Sequence, residues 1–164
     1  MTVRAVRGRR ELAEFINLPW RLYRGDPNWI APLKASVRAM LDQRRHPFYG
    51  GGKDAEIELF LAHSGREVVG RVAAILYHRH NQVHQENIAF FGFFESVDDP
   101  AVATELLAAV EAWARSRGTT AVRGPANPSQ NYECGLLVEG FDRPPVLMMT
   151  YNPPGYMGLI EGAG

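Results

Sequence analysis

Residues 90–118, FFGFFESVDDPAVATELLAAVEAWARSRG, run from a strand directly into a helix. The four phenylalanines at the start predict a central strand over residues 88–94, covered on both faces. Asp98 or Asp99 then caps a helix predicted over residues 100–117, which begins with proline and ends before glycine. Its apolar residues recur at helical spacing and form one buried stripe. A strand followed by an amphipathic helix is typical of folds in which helices cover a sheet.

Upstream of this unit, the sequence predicts an antiparallel hairpin. Apolar and polar side chains alternate over residues 57–62, and residues 68–77 form a second apolar run. Gly65 lies where a tight turn would join the two strands. A short edge strand is predicted over residues 2–6.

Two helices are predicted before the hairpin. Apolar residues recur at helical spacing over residues 12–22, and residues 33–41 form a second short helix. Pro19 falls inside the first helix, and because it lacks an amide donor we expect it to kink or divide that helix.

After the long helix, the sequence predicts a strand at residues 119–123, a short helical turn at residues 132–138 and a final strand at residues 146–151. The intervening loop is rich in proline, glycine and small polar residues. Such a loop holds side chains in fixed positions, and loops at strand ends are where α/β folds build their sites.

The composition limits the function classes. The chain has 164 residues, 46% of them hydrophobic, which suits one globular domain over residues 1–164. Equal numbers of basic and acidic residues argue against a nucleic-acid partner. Neither a secretory signal nor an apolar run of membrane-spanning length occurs, so the sequence predicts a cytoplasmic protein without a membrane partner.

Charge is unevenly distributed within the predicted domain. Residues 1–54 form a helical basic segment with a net charge of +6, and the remaining residues carry a net charge of −6. Either the basic segment packs beside an acidic body or its arginines contact an anion. Residues 55–151 form the predicted sheet core, and residues 152–164 are interpreted as the start of a further segment.

Glu95 is the candidate catalytic residue. Apolar walls at the end of an aromatic strand would raise the pKa of its carboxyl toward that of a general base. The alternative is a structural ion pair with Arg123 on the adjacent strand.

Four polar residues of the following loop are candidate substrate contacts: Asn127, Ser129, Asn131 and Glu133. Ser129 or Asn131 could instead cap the short helix predicted after them.

Two further patterns have simpler explanations. His78, His80 and His84 have a spacing that could suit a metal, but polar neighbours favour a solvated loop, so no metal site is predicted. Cys134, the only cysteine, has no neighbouring histidine to activate it and is predicted to be a small buried side chain.

The order of the predicted elements resembles the GNAT (N-acetyltransferase) fold, an α+β fold with a mixed, mostly antiparallel sheet flanked by helices. The resemblance spans most of the chain. The sequences PWRLYRGDPNW at residues 19–29, FFGFFE at residues 90–95 and NPSQNYECGLLVEGFDRPP at residues 127–145 are also similar to little-characterised bacterial GNAT-like proteins. In those proteins this region is followed by a second half.

The resemblance implies an N-acyltransferase that transfers an acyl group from acetyl-CoA or another acyl-CoA to a small-molecule amine. It places the coenzyme arm along the strand backbone near Phe93, Phe94 and Ser96. Two family features are missing here. The glycine-rich pyrophosphate loop is replaced by residues 95–101, ESVDDPA, and the usual tyrosine acid is replaced by Leu136.

These departures leave two functions open. The chain is an acyltransferase domain, supplying only the substrate side if the coenzyme is held elsewhere, or it is a non-catalytic module for packing or small-ligand binding. A second GNAT-like domain or a second copy of the chain is the expected partner in the latter case.

Overall fold

The computed structural model describes residues 1–164 and contains a central five-stranded sheet in the order β1-β2-β3-β4-β5. The first four strands pair antiparallel, and β4 and β5 pair parallel. The strands are β1 Thr2–Ala5, β2 Ala55–Ser64, β3 Glu67–Tyr77, β4 Ile88–Ser96 and β5 Ala121–Arg123. This architecture confirms the predicted mixed, mostly antiparallel α+β fold, including the edge strand and the hairpin.

Helices cover both faces of the sheet. They are α1 Gly8–Leu22, α2 Lys34–Met40, α3 His78–His84, α4 Pro100–Ser116 and α5 Tyr156–Glu161, with a 3-10 segment at Pro47–Gly52. One core forms between the sheet and α4 with α5, and includes Leu106, Trp113 and Leu159. The other forms between the sheet and α1 with α2, and includes Phe15 and Val37. No helix of the structure has the length and apolar character to span a bilayer.

A β-bulge in β4 decides which side chains face which core. Arg71 of β3 lies opposite Glu95, and Ala73 lies opposite Gly92, so β4 has one more residue than β3 in this interval. Phe93 adopts a positive φ of 51° at the bulge. Because successive strand residues point to opposite faces, one inserted residue reverses the faces of everything that follows it. The bulge turns Glu95 toward the α1 side of the sheet, where Arg71 lies.

Beyond the bulge, β4 and β5 separate. They pair only from Ile88 to Phe90, and the chain after β5 then forms a small ladder of β6, Ala126–Asn127, with β7, Glu133–Cys134. Gly92 makes close approach of this ladder possible, because a Cβ there would overlap the carbonyl oxygen of Ala126.

Helix α4 begins as its sequence predicts. Asp99 is the N-cap and its Oδ1 accepts the amide proton of Ala101 at 2.9 Å, while Pro100 occupies the first turn. The Asp99 cap therefore satisfies one of the amides that helix starts leave unpaired.

We expect Asp99→Ala to lower the free energy of unfolding by about 1 kcal/mol, since it removes this capping bond. Asp98→Ala is the matched control, because Asp98 accepts no hydrogen bond from a helix amide. Urea denaturation of the two variants measures the difference, and equal stabilities would contradict the assignment of Asp99 as the cap.

Three predictions of secondary structure are wrong. Helix α1 is not divided at Pro19, which is buried, because the packing of the apolar face outweighs the lost amide bond, and a kink there stays a prediction. Residues 132–138 contain the β7 ladder and not a helical turn, and Gly135 follows at φ 82°. Residues 146–151 form no strand, because they lie beside the pocket described below and not at a sheet edge. Leu147 is 93% exposed there.

Helix α5, within the segment interpreted as the start of a further unit, packs against α4, with Tyr156 and Leu159 buried in the shared core.

Candidate active site

A buried ion pair between Arg71 and Glu95 lies at the centre of the candidate site. The two residues are register partners on β3 and β4, with Nη2 of Arg71 3.6 Å from Oε1 of Glu95. Their side chains are only 7% and 12% exposed. The predicted ion pair of Glu95 with Arg123 is wrong, because Arg123 instead pairs with Glu86 at 3.0 Å. The bulge explains the exchange of partners, since it turns Glu95 toward β3.

Two tyrosines complete the surroundings of Glu95. The hydroxyls of Tyr23 and Tyr156 both lie within hydrogen-bond distance of Oε2, at 2.9 and 2.8 Å. Burial raises the pKa of both phenols, and the negative charge of Glu95 raises it further, so both are neutral donors. Oε1 accepts no hydrogen bond, and Nη2 of Arg71 lies 3.6 Å from it. It is therefore the oxygen left for a further donor.

The pKa of Glu95 is raised above that of an ordinary glutamate. Burial is the main cause, and the charge of Arg71 with the hydrogen bonds of Tyr156 and Tyr23 opposes it. The direction agrees with the sequence-based expectation of a raised pKa, and the role of Glu95 as a general base stays a prediction.

The group opens into a cavity of about 440 Å³ with mainly apolar walls. Its charged and polar wall residues include Glu95, Arg71, Asn127 and Glu133. The apolar walls come from α1, α2, the loop before α2 and residues 145–149. Such a pocket, with few polar groups in an apolar surface, is typical of a small-molecule site.

Asn127 connects the bulge to the pocket wall. Its Oδ1 accepts the amide proton of Phe93 at 2.6 Å, and its hydrogen bond with the Glu133 side chain lowers the pKa of that carboxyl. Desolvation is the larger effect, and the net result is a raised pKa for Glu133. The pocket wall therefore contains two carboxyl groups, Glu95 and Glu133, and one guanidinium, that of Arg71.

The pH dependence of the free energy of unfolding should reflect the raised pKa of Glu133. Its pKa is higher folded than unfolded, so the folded state binds more protons and the free energy of unfolding falls as the pH rises above about 4.5, the ordinary value. Glu133→Gln removes this contribution and should flatten the curve between pH 4 and 7. Urea denaturation across that range measures it, with Glu105→Gln on the exposed face of α4 as control. An unchanged slope in Glu133→Gln would contradict the assignment.

The four predicted substrate contacts do not all lie in this pocket. Asn127 and Glu133 line it, whereas Ser129 and Asn131 line a separate cavity of about 200 Å³ that also contains His80 and His84. Ser129 Oγ accepts the amide proton of Asn131 at 3.3 Å. The helix that they would have capped is absent.

The predicted coenzyme contacts differ in accessibility. Phe93 and Phe94 line the main pocket. Ser96 is buried, its amide donates to the Tyr156 hydroxyl at 2.9 Å, and its own hydroxyl donates to the Val97 carbonyl at 2.7 Å. The roles of all three in coenzyme binding stay predictions.

The histidines and Cys134 differ from their predicted surroundings. His78, His80 and His84 belong to α3 and not to a loop, and His80 bonds to Glu86 at 2.8 Å. No group of three or more histidine, cysteine, aspartate and glutamate side chains is arranged to hold a metal. Cys134 is exposed on β7, so its assignment as a buried side chain is wrong.

Sequence reasoning missed three residues of the site: Arg71, Tyr23 and Tyr156. Arg71 did carry a signal, because it is the only charge in the apolar run of β3 from Val68 to Leu76. A charge inside a buried strand requires a partner. The tyrosines carried none, since they are 72 and 61 residues from Glu95.

Comparison with solved structures identifies the architecture. An aminoglycoside acetyltransferase from an uncultured soil metagenomic sample, crystallised with sisomicin, superposes with a TM-score of 0.53 over 76% of both chains, at 14% identity. The same enzyme with trehalose gives 0.52 at 15% identity. The chain has a GNAT fold. At this identity the likeness to the GNAT enzyme concerns the fold, and it confirms the resemblance seen in the sequence.

Sequence comparison finds two similar bacterial proteins. Protein YghO of Escherichia coli K12 is 36% identical over 163 residues, which is 99% of this chain and 40% of YghO. The bacterial ceramide synthase of Caulobacter vibrioides is 42% identical over 154 residues, 93% of this chain and 39% of that protein. This GNAT-fold chain thus spans about 40% of the length of these relatives. No protein-family model matches it.

Proposed function

We propose that this chain is an N-acyltransferase domain that transfers an acyl group from an acyl-CoA to an amine. The observation that carries the proposal is Glu95, a nearly buried carboxylate with a raised pKa at the floor of an apolar pocket. A glutamate with a raised pKa is a better acceptor for the proton of an ammonium ion than an ordinary glutamate. The GNAT fold supports the same reaction class by analogy.

The pocket favours an amine attached to an apolar chain. Fourteen of its 25 lining residues are hydrophobic, among them Trp29, Val37 and Leu136. One relative is named a bacterial ceramide synthase, and a ceramide is an amide of a long-chain amino alcohol. The two carboxylates exceed the one guanidinium by a negative charge, which suits an ammonium head group.

The chain's own residues perform three tasks in this proposal. Glu95 Oε1 receives the proton of the bound ammonium, which frees the nitrogen lone pair. Tyr23 and Tyr156 hold Oε2 and so fix the carboxylate. The apolar walls exclude water, which strengthens the interactions of the buried charges.

The fit to acyl-CoA is uneven. The apolar pocket suits the acyl and thioester end, with Phe93 and Phe94 beside it. The start of α4, where the family binds pyrophosphate, does not suit that group, because Asp99 already accepts an amide proton and Asp98 adds a second carboxylate. The pyrophosphate of a bound acyl-CoA is therefore expected outside this helix start.

Binding and transfer are measured separately. Calorimetric titration with acetyl-CoA and with acetyl-pantetheine, which lacks the pyrophosphate, should give similar affinities if the helix start makes no contact. Mass spectrometry should then detect N-acylation of a long-chain amino alcohol and weaker or no acylation of the aminoglycoside sisomicin. Absence of binding and of transfer for every amine would overturn the proposal.

A non-catalytic role is the alternative, and the Asp99 cap is the observation that favours it. A capping carboxylate uses an amide at the coenzyme site and repels the phosphate anion. In that case the domain would pack against a second GNAT-like domain or a second copy, or would hold the substrate only. Silent titrations with both thioesters would favour this role.

A further inference from the structure

Arg71 has more hydrogen-bond donors than its surroundings use. Nη1 donates to the Phe15 carbonyl at 2.7 Å, and Nη2 lies 3.6 Å from Glu95. Nε is fully buried and has no partner. A buried N–H without an acceptor is unfavourable, so such a group calls for a ligand or a function.

The guanidinium is held firmly in this position. Besides the bond to Phe15, its carbon lies 4.9 Å from the centre of the Phe15 ring, and the register pairing of β3 with β4 fixes its backbone. The residue also lines the main pocket together with Glu95. A rigid cation at the pocket floor is well placed to act on a bound polar group.

A backbone amide exposed by the β-bulge would be the alternative donor to a bound acyl group, but that amide already has an acceptor. A β-bulge turns a backbone amide out of the ladder, and here the turned amide is that of Phe93. It donates to the Asn127 side chain at 2.6 Å. An acyl group entering the pocket at the bulge therefore finds the Phe93 amide occupied, whereas Arg71 has donor capacity beyond its single hydrogen bond to Phe15.

We propose that Arg71 is a catalytic residue that donates hydrogen bonds to the carbonyl oxygen of the acyl thioester in the main pocket. The inference rests on the N-acyltransferase function proposed above. In this proposal a side chain stabilises the negative charge that develops on the carbonyl oxygen during the reaction.

In this reaction the amine nitrogen attacks the thioester carbon and forms the C–N bond, while the C=O π electron pair moves to the oxygen beside Arg71. The pair returns as the C–S bond breaks, and the thiolate leaves with the bonding electrons. One ammonium proton goes to Glu95 before the attack, and a second is lost from the amide nitrogen to the thiolate.

The first test is Arg71→Lys, which keeps the charge and removes the planar set of donors. Loss of a donor to the developing oxyanion should lower kcat by about 10²- to 10³-fold, with KM for acetyl-CoA changed by less than about threefold. Arg117→Lys is the matched control, because Arg117 lies outside the pocket. Its guanidinium carbon is 3.8 Å from the centre of the Trp113 ring. An unchanged kcat in folded Arg71→Lys would overturn the assignment while leaving the proposed function intact.

A second test needs no turnover and covers the case in which Arg71→Lys does not fold. Acetyl-CoA labelled with ¹³C at the carbonyl is bound to the unaltered chain without amine, and its infrared C=O stretch is recorded. Donation from Arg71 should lower the stretching frequency of the unaltered chain's bound thioester relative to free acetyl-CoA in water. If Arg71→Lys folds, it should restore the free value. A bound frequency at or above the free value would overturn the inference. Absence of both binding and transfer in the unaltered chain would overturn the proposed function together with it.

Discussion

Glu95→Gln should lower kcat for amine acylation by about 10²- to 10⁴-fold, the usual contribution of a general base. Glutamine retains an oxygen that can accept the bonds from Tyr23 and Tyr156, so the fold should persist, but the melting temperature should fall because Arg71 loses its counter-charge. It cannot accept the proton of the ammonium ion. Steady-state kinetics with a long-chain amino alcohol measures the loss, and thermal unfolding followed by circular dichroism checks the fold.

Glu86→Gln is the control for this substitution. Glu86 also bonds to an arginine, Arg123, and to His80, but it lies outside the main pocket, so its replacement should leave kcat unchanged. Equal kcat values for Glu95→Gln and the unaltered chain would eliminate Glu95 as the base and leave Glu133 as the remaining carboxylate of the pocket.

The pH profile gives a further check on Glu95. The base must be ionised to act, and burial raises its pKa above the ordinary 4.5. The rate kcat/KM should therefore rise with pH along a limb centred above 4.5, the ordinary value, and Glu95→Gln should abolish that limb.

Gly92→Ala should lower the free energy of unfolding by about 3 kcal/mol or more. The added Cβ would overlap the Ala126 carbonyl oxygen and lie 2.8 Å from its carbonyl carbon and 2.9 Å from Asn127 Oδ1. Backbone atoms cannot rotate away as a side chain can, so the small β6-β7 ladder must move. Urea denaturation measures the change.

Gly158→Ala provides the comparison. Gly158 lies in α5, its φ is not positive, and an added Cβ would have no atom within 4 Å. Alanine there should raise stability by about 0.5–1 kcal/mol. If Gly92→Ala proved as stable as the unaltered chain, the close approach of β6 to β4 would be wrong.

The sequence predicts the elements whose signals are local. The α4 helix follows from its apolar spacing, its aspartate cap and its proline, and all three are observed. The hairpin of β2 and β3 follows from alternation and a glycine turn. Glu95 is also predictable from local features, because it lies near the end of an aromatic strand.

The features that the sequence does not predict depend on contacts between residues far apart in the chain. The partner of Glu95 is decided by the bulge, which no residue type at positions 92–94 specifies uniquely. Residues 146–151 have strand-forming side chains, yet no strand of the sheet is available to them in this structure. Tertiary surroundings override local β propensity in such segments.

Successive strand residues face opposite sides of the sheet, so the number of residues in the β4 bulge decides which side the Glu95 carboxyl faces. Deletion of a single residue between Phe91 and Glu95 would send the carboxylate into the apolar core under α4 and leave Arg71 without its counter-charge. Removal of two would restore the facing direction but shorten the strand by about 7 Å. In proteins with this fold, the number of residues between the positions of Phe91 and Glu95 therefore decides whether an ion pair equivalent to Arg71–Glu95 can form. The identity of the surrounding aromatic residues does not.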